Sequence, residues 1–422
     1  MARTRLRRAL LNPAAWVVPY MALWFVVALL PIQPTDLDIF FWPSAKIAVH
    51  GYPLLVYAPN GQDAYPNANG PLAIVPLAVV ALFVNALGWL DAVTPRRVVA
   101  LTVFSIFILL MAREAVRAME RMRGRPLPPP ARLATFGLLA LSPPVWQSVA
   151  GYGHIEQPIE IWMLLLAARL VDTDRPARGG VALALAVLAR SSAALQAVPL
   201  GLASWQRRKP GAVRLFAAAA LAGALGLLPF LLADPSDTIH SLFTYRSHLI
   251  VGAGSVWSLT HSTPYEGIAQ RWDFVAMAAA VLAVNLWLAT RPGGLDRQRL
   301  YAAMTLTAAC FALLAKTVWA YYLFEAFVFG AVWTIGRWRQ ADSVVRLALL
   351  PVAISTFGMV AEIGSEPGLE TNLVSLEGGA MFTMIVLTGA WVLWLAGRPP
   401  GAAAGIAAPA VVFQRHGTER AD

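Results

Sequence analysis

Cysteine is almost missing from this chain: Cys310 is the only one in 422 residues. No disulfide can close within the chain, and no thiolate metal site can be built. Charge is scarce as well, at 13% of residues against 58% hydrophobic. A soluble domain is nearer a quarter charged and half apolar, so the surface of this protein cannot face water throughout. No polar stretch is long enough for a separate Rossmann-like domain, and no Gly-x-Gly-x-x-Gly follows a strand pattern, which argues against a nucleotide-sugar donor. Internal repeats are not evident, nor are the inverted halves of many transporters.

What the chain does have is apolar runs of the length needed to cross about 30 Å of hydrocarbon. They fall near 14–31, 71–90, 98–112, 132–149, 158–171, 214–233, 274–290, 300–315, 317–336, 346–363 and 378–396. The expected fold is therefore an all-α polytopic membrane protein, with residues 1–396 as one domain of about 11–13 spans. Residues 397–422, rich in small side chains, are expected to be a disordered tail on the cytoplasmic side. The net charge of +10 does not point to nucleic acid. Most Lys and Arg fall in the termini and short loops on one side, the positive-inside pattern of a protein whose N-terminus is cytoplasmic. Their partners are anionic membrane lipids.

Two places resist simple counting. The loops at 169–180 and 206–214 are both basic, so 180–206 must enter and leave on the same side, turning at Arg190-Ser191-Ser192. Arg96 and Arg97 are joined to the basic stretch 113–132 by a single span, so 71–97 is expected to form a hairpin or a re-entrant element.

Polar chemistry gathers in two long segments, about 32–70 and 234–273, and in the short turn 151–157, all expected outside. The first segment opens with Asp36 and Asp38 and continues into an amphipathic stretch, 39–49, expected on the membrane face. The turn carries His154, Glu156 and Gln157, with Glu160 one helical turn beyond Glu156 and on its face. Such groups at membrane depth are costly and usually line a cavity or hold helices together. His154 and Glu156 are only two ligands, too few for a metal site. Arg246 and His248 lie in the second segment among hydroxyls and glycines, where Arg246 is a candidate phosphate or sugar contact. Lys316 stands alone between two apolar runs, followed by Tyr321 and Tyr322. It either snorkels to an interface or serves a site; Arg190 is a second lone cation of this kind.

An acid at the exit of the first span, an aromatic-rich amphipathic helix, the turn from Gly51 to Tyr57 and a Pro-led second span resemble the GT-C glycosyltransferases. Among them the layout is most similar to glycosyltransferase family 87, the polyprenyl-phosphate-mannose-type enzymes. The resemblance implies transfer of a mannose-like hexose or a pentose from a polyprenyl-phosphate donor to an envelope glycan or glycolipid, outside the inner membrane. It makes Asp36 or Asp38 the catalytic base. Lys316, with Tyr321 or Tyr322 beside it, becomes the holder of the donor phosphate. The turn from His154 onward matches a short polar motif of the family, although Gly-His-x-Glu stands where Gly-Gln-x-Asn is commoner. No cofactor is required; a divalent cation at Asp36 and Asp38 is an option. A flippase or transporter of a lipid-linked substrate and a non-catalytic scaffold are the competing readings.

Overall fold

The computed structural model describes residues 12–30, 32, 34–58, 67–245, 256–260, 263–317 and 320–337. The last two expected spans and the tail lie outside these. Among the described residues the chain is helical and has no strand. The longer helices are α1 (Val17–Ala28), α2 (Trp42–Val49), α3 (Pro71–Ala86), α4 (Val93–Arg123), α5 (Pro129–Ala140) and α6 (Gln157–Asp172). They are followed by α7 (Pro176–Ala189), α8 (Ala197–Arg207), α9 (Lys209–Ala233), α10 (Glu266–Ala289), α11 (Arg297–Leu314) and α12 (Leu323–Gly336).

The apolar helices make this a membrane protein. Val93–Arg123, Lys209–Ala233 and Arg271–Ala289 are long and apolar enough to cross a bilayer by length and composition. Val213, Leu221, Leu225 and Leu232 of α9 are exposed, as are Phe274 and Val275 of α10. Apolar side chains covering a whole outward face suit hydrocarbon and not water. The core lies inside, where α6 packs on α4 and α7, α7 on α9, and α11 on α12.

The stretch expected as a surface helix over 39–49 begins earlier and is packed into the protein. Helical backbone starts at Thr35, just after Pro34, which cannot continue a helix arriving before it. Leu37–Phe41 winds as a wide turn, with the Trp42 N–H bonding the Leu37 carbonyl five residues back. Pro43 follows and has no N–H to give. Trp42 is fully buried, and its indole N–H donates to the Leu90 carbonyl at 3.1 Å.

α2 also meets the chain on both sides of α3. Its Ser44 accepts from Asn67, ahead of α3, at 3.3 Å, while its Lys46 pairs with Asp91, beyond α3, at 2.6 Å. The chain therefore comes back to α2 after the sixteen residues of α3, and α4 starts from there. Arg96 and Arg97 sit at its start, paired with Asp38.

The second ambiguity resolves as expected. α7 and α8 form a hairpin with Arg190 at its tip, and Gly211, just past α8, lies against Pro176 at the start of α7. Fourteen residues of α7 rise about 21 Å, short of a full crossing. The base of the hairpin is tied at Asp172, which receives Arg121 at 3.1 Å, Arg207 at 2.9 Å and Arg297 at 2.8 Å. Three helices besides α6 are thereby fastened to one carboxylate. Arg208 adds a pair with Asp174 at 3.2 Å.

Candidate functional site

At the opposite end of α6 the first polar segment meets the turn before the helix. α1 delivers the segment there: Trp24 stacks on Trp146 at 4.6 Å, and the Tyr20 hydroxyl donates to the Ala140 carbonyl. Gly153 then permits the approach. It has φ +83°, and a Cβ on it would lie 2.7 Å from the Leu37 nitrogen. Only glycine accepts both the left-handed backbone and that contact. Leu37 is the neighbour of Asp36, so this close passage sets Asp36 against His154.

His154 is held between two carboxylates. Its Nε2 lies 2.7 Å from Asp36 Oδ2, and its Nδ1 lies 2.6 Å from Glu156 Oε1. Burial disfavours the imidazolium, but Glu156 and Asp36 outweigh it and raise the His154 pKa above the ordinary histidine value. Solvent access falls along the row: the Asp36 side chain is 21% exposed, His154 6% and Glu156 0%. Glu160, one turn further along α6, accepts from the Ser192 hydroxyl at 3.1 Å and lies 4.0 Å from the Arg190 guanidinium.

Arg190 arrives from the hairpin tip, where its backbone is extended. Gly70 brings the end of the first polar segment onto the same tip. Its N–H donates to the Ala189 carbonyl at 3.3 Å, and a Cβ there would fall 2.0 Å from the Leu188 oxygen. The guanidinium of Arg190 lies over the rings of Tyr321 and Tyr322, at 5.5 and 5.1 Å. Tyr321 also faces His154, with ring centroids 3.9 Å apart, and its carbonyl accepts from Gln157. Asp36, His154, Glu156, Gln157, Glu160, Arg190, Tyr321 and Tyr322 are thus brought together, from four separate parts of the chain.

Asp38 and Lys316 have charge partners outside this set. Asp38 has both oxygens on arginines, Arg96 at 2.7 Å and Arg97 on the other side. Expected as an alternative base, it instead ties α4 to the first segment. Lys316 is buried, and the charge of Asp273, in α10, acts on it. Arg246 and His248 lie outside the described residues. Of the described residues on either side, the Ser241 hydroxyl donates to the Tyr57 carbonyl, and the Trp257 indole donates to the Leu314 carbonyl at 2.6 Å. Among the described residues no group of three His, Cys, Asp or Glu side chains is placed to hold a metal ion.

No protein-family model matches this chain, and no curated protein does either. Its chemistry must be argued from the cluster itself.

One member of the cluster carried no expected role. Glu325 is 3% exposed, and its charge bears on Arg190 and Glu160. A carboxylate inside the apolar run 323–336 was the available signal, because such a group requires a polar site around it. Ser192 was visible as part of the hairpin turn, but its bond to Glu160 needs the fold.

Proposed function

We propose that this chain is a membrane glycosyltransferase that moves a sugar from a polyprenyl-phosphate donor to an envelope glycan or glycolipid. In this reading it is a GT-C-like bundle of about 11–13 spans in the cell (inner) membrane, with the N-terminus and the Asp172 end cytoplasmic. The Asp36 end faces outward. The observation that supports it is the meeting of Asp36, just past the first span, with His154 at 2.7 Å in a cluster that also contains Arg190.

Asp36 takes the proton of the acceptor hydroxyl. The freed oxygen bonds to the anomeric carbon, and the bond from that carbon to the phosphate oxygen breaks, its electron pair leaving with the lipid phosphate. A positioned carboxylate is typically worth about 10²–10⁴-fold in such a step. Negative charge close by also favours an oxocarbenium-like transition state. Arg190, whose Nη1 has no hydrogen-bond partner and whose Nε is 4.0 Å from Glu160, is the cation for the departing phosphate. Tyr321 and Tyr322 hold the Arg190 guanidinium from their ring faces. Asp38 is assigned no chemical step, because Arg96 and Arg97 hold it.

The test is transfer from labelled polyprenyl-phosphate sugars by purified protein in lipid. Lack of turnover with every such donor, together with unchanged glycans in a deletion strain, counts against the proposal. One observation favours a transporter of a lipid-linked substrate instead. The α7–α8 hairpin is a broken, part-way helical pair, and such elements form substrate sites in transporters. Asp36→Asn separates the two: it abolishes turnover of an enzyme while lipid binding stays, whereas a transporter tolerates it.

A further inference from the structure

We propose that Glu156 is a positioning residue for Asp36, acting through His154: it fixes the imidazole so that a proton on Nε2 always faces the Asp36 carboxylate. Both ring nitrogens lie within 2.7 Å of a carboxylate oxygen. A neutral imidazole carries one N–H. With both acids ionised and the ring neutral, one contact would set a nitrogen lone pair against an anion. The three groups therefore share one more proton than that state holds.

That proton has three arrangements. The ring is doubly protonated; or Glu156 carries the proton and donates to Nδ1; or Asp36 carries it and donates to Nε2. The first two leave Asp36 ionised with an N–H in front of it. Water reaches the Asp36 end of the row and not the Glu156 end, so ionic charge is best solvated at Asp36. This favours the first two arrangements. Asp36 Oδ2 then faces the ring, while Oδ1, 3.5 Å from the Thr35 hydroxyl, is the oxygen left for an acceptor. The other groups around the ring are Tyr321 against its face, Tyr152 with its centroid at 6.5 Å, and Arg190 beyond Tyr321. Glu160 and Glu325 complete the charged groups of the cluster, and their charges bear on Arg190.

The neutral isostere provides an unusual test. In Glu156→Gln the side-chain amide donates to Nδ1, which forces the neutral ring to keep its proton on Nε2. Glu156→Leu leaves Nδ1 without a partner. The experiment is ¹⁵N NMR of histidine-labelled full-length protein in nanodiscs, with His154 assigned by loss of its signal in His154→Gln, alongside pH profiles of transfer. Wild type should keep Nε2 protonated at pH values above about 6.5, where free histidine is neutral, with Nδ1 either protonated or accepting from Glu156. Glu156→Gln should show the Nε2–H tautomer, retain turnover within about tenfold and lose the alkaline fall of the profile. Glu156→Leu should lose about 10–100-fold, the usual scale for an orienting partner. A His154 that titrates as free histidine in wild type, or a Glu156→Gln ring protonated on Nδ1, overturns the proposal. The base role of Asp36 rests on the glycosyl-transfer reading, but the tautomer does not. Absence of turnover in wild type would sink the transfer reading while the NMR result still decides this one.

Discussion

The two ends of α6 handle charge in opposite ways. At its C-terminus a single carboxylate, Asp172, receives three arginines, and one turn earlier Arg169 pairs with Glu114 of α4. At its N-terminus Glu156 and Glu160 share the neighbourhood of Glu325 and Asp36 with one guanidinium and one imidazole. The helix dipole explains part of the contrast. Carboxylates are favoured at the N-terminal end and disfavoured at the other, so Asp172 needs several cations to stay charged where it is. The lesson is one of saturation. Asp172 has both oxygens engaged, one by Arg207 and the other by Arg121 and Arg297, and serves to hold helices. The Asp36 end buries Glu156 Oε2 and Arg190 Nη1 without a hydrogen-bond partner, and its Arg190 Nε–Glu160 Oε2 pair is long, at 4.0 Å, a costly arrangement unless something else bonds there.

This contrast can be broken by substitution. The largest effect is expected from Asp36→Asn: turnover down by about 10²–10⁴-fold with the unfolding temperature unmoved, read by transfer assay and thermal scan together. Equal loss in Asp38→Asn without loss of stability would erase the distinction drawn between the two acids. Next is Asp172→Asn, which leaves three part-buried arginines without a counter-ion and should cost about 3 kcal/mol in stability. Its turnover per folded molecule should match wild type; a matching collapse of turnover would show that the two ends are not separable. Gly153→Ala should cost about 2 kcal/mol, from the left-handed backbone and the clash with Leu37. It should also lower turnover, since Asp36 must move away from His154.

Acidity offers a finer probe. His154 has a raised pKa in the folded protein, owing to Glu156 and Asp36 against the opposing effect of burial. Its proton therefore stabilises the fold fully below about pH 6.5, and that contribution is lost as pH rises through the folded value. Unfolding temperature should fall over that range in wild type and change less in His154→Gln. The smallest effect is expected from Arg297→Ala, under about 1 kcal/mol, because Arg121 and Arg207 still hold Asp172. A larger loss would mean that the three arginines act as one unit.

Much of this architecture was legible from residue order alone. Clustered arginines at 169–180 and 206–214 required a chain that goes in and comes out, and Arg190 is where it turns. The polar turn at His154–Glu160 announced itself because charge within apolar runs is expensive. Partner choice was not legible. Asp36 and Asp38 look alike in sequence, and only the return of the chain after α3 puts Arg96 and Arg97 beside Asp38. The role of Gly153 was equally hidden, since a glycine in a turn is unremarkable until a second backbone passes within contact of it.

The hairpin tipped by Arg190 is moored twice. Its legs are rooted at the Asp172 face, about 21 Å below the tip, while the tip is held by the Gly70 N–H on the Ala189 carbonyl and by Ser192 on Glu160. A span pinned at both piers keeps its height when one pier is weakened, so damage at the roots is felt as lost stability and not as a sunken guanidinium.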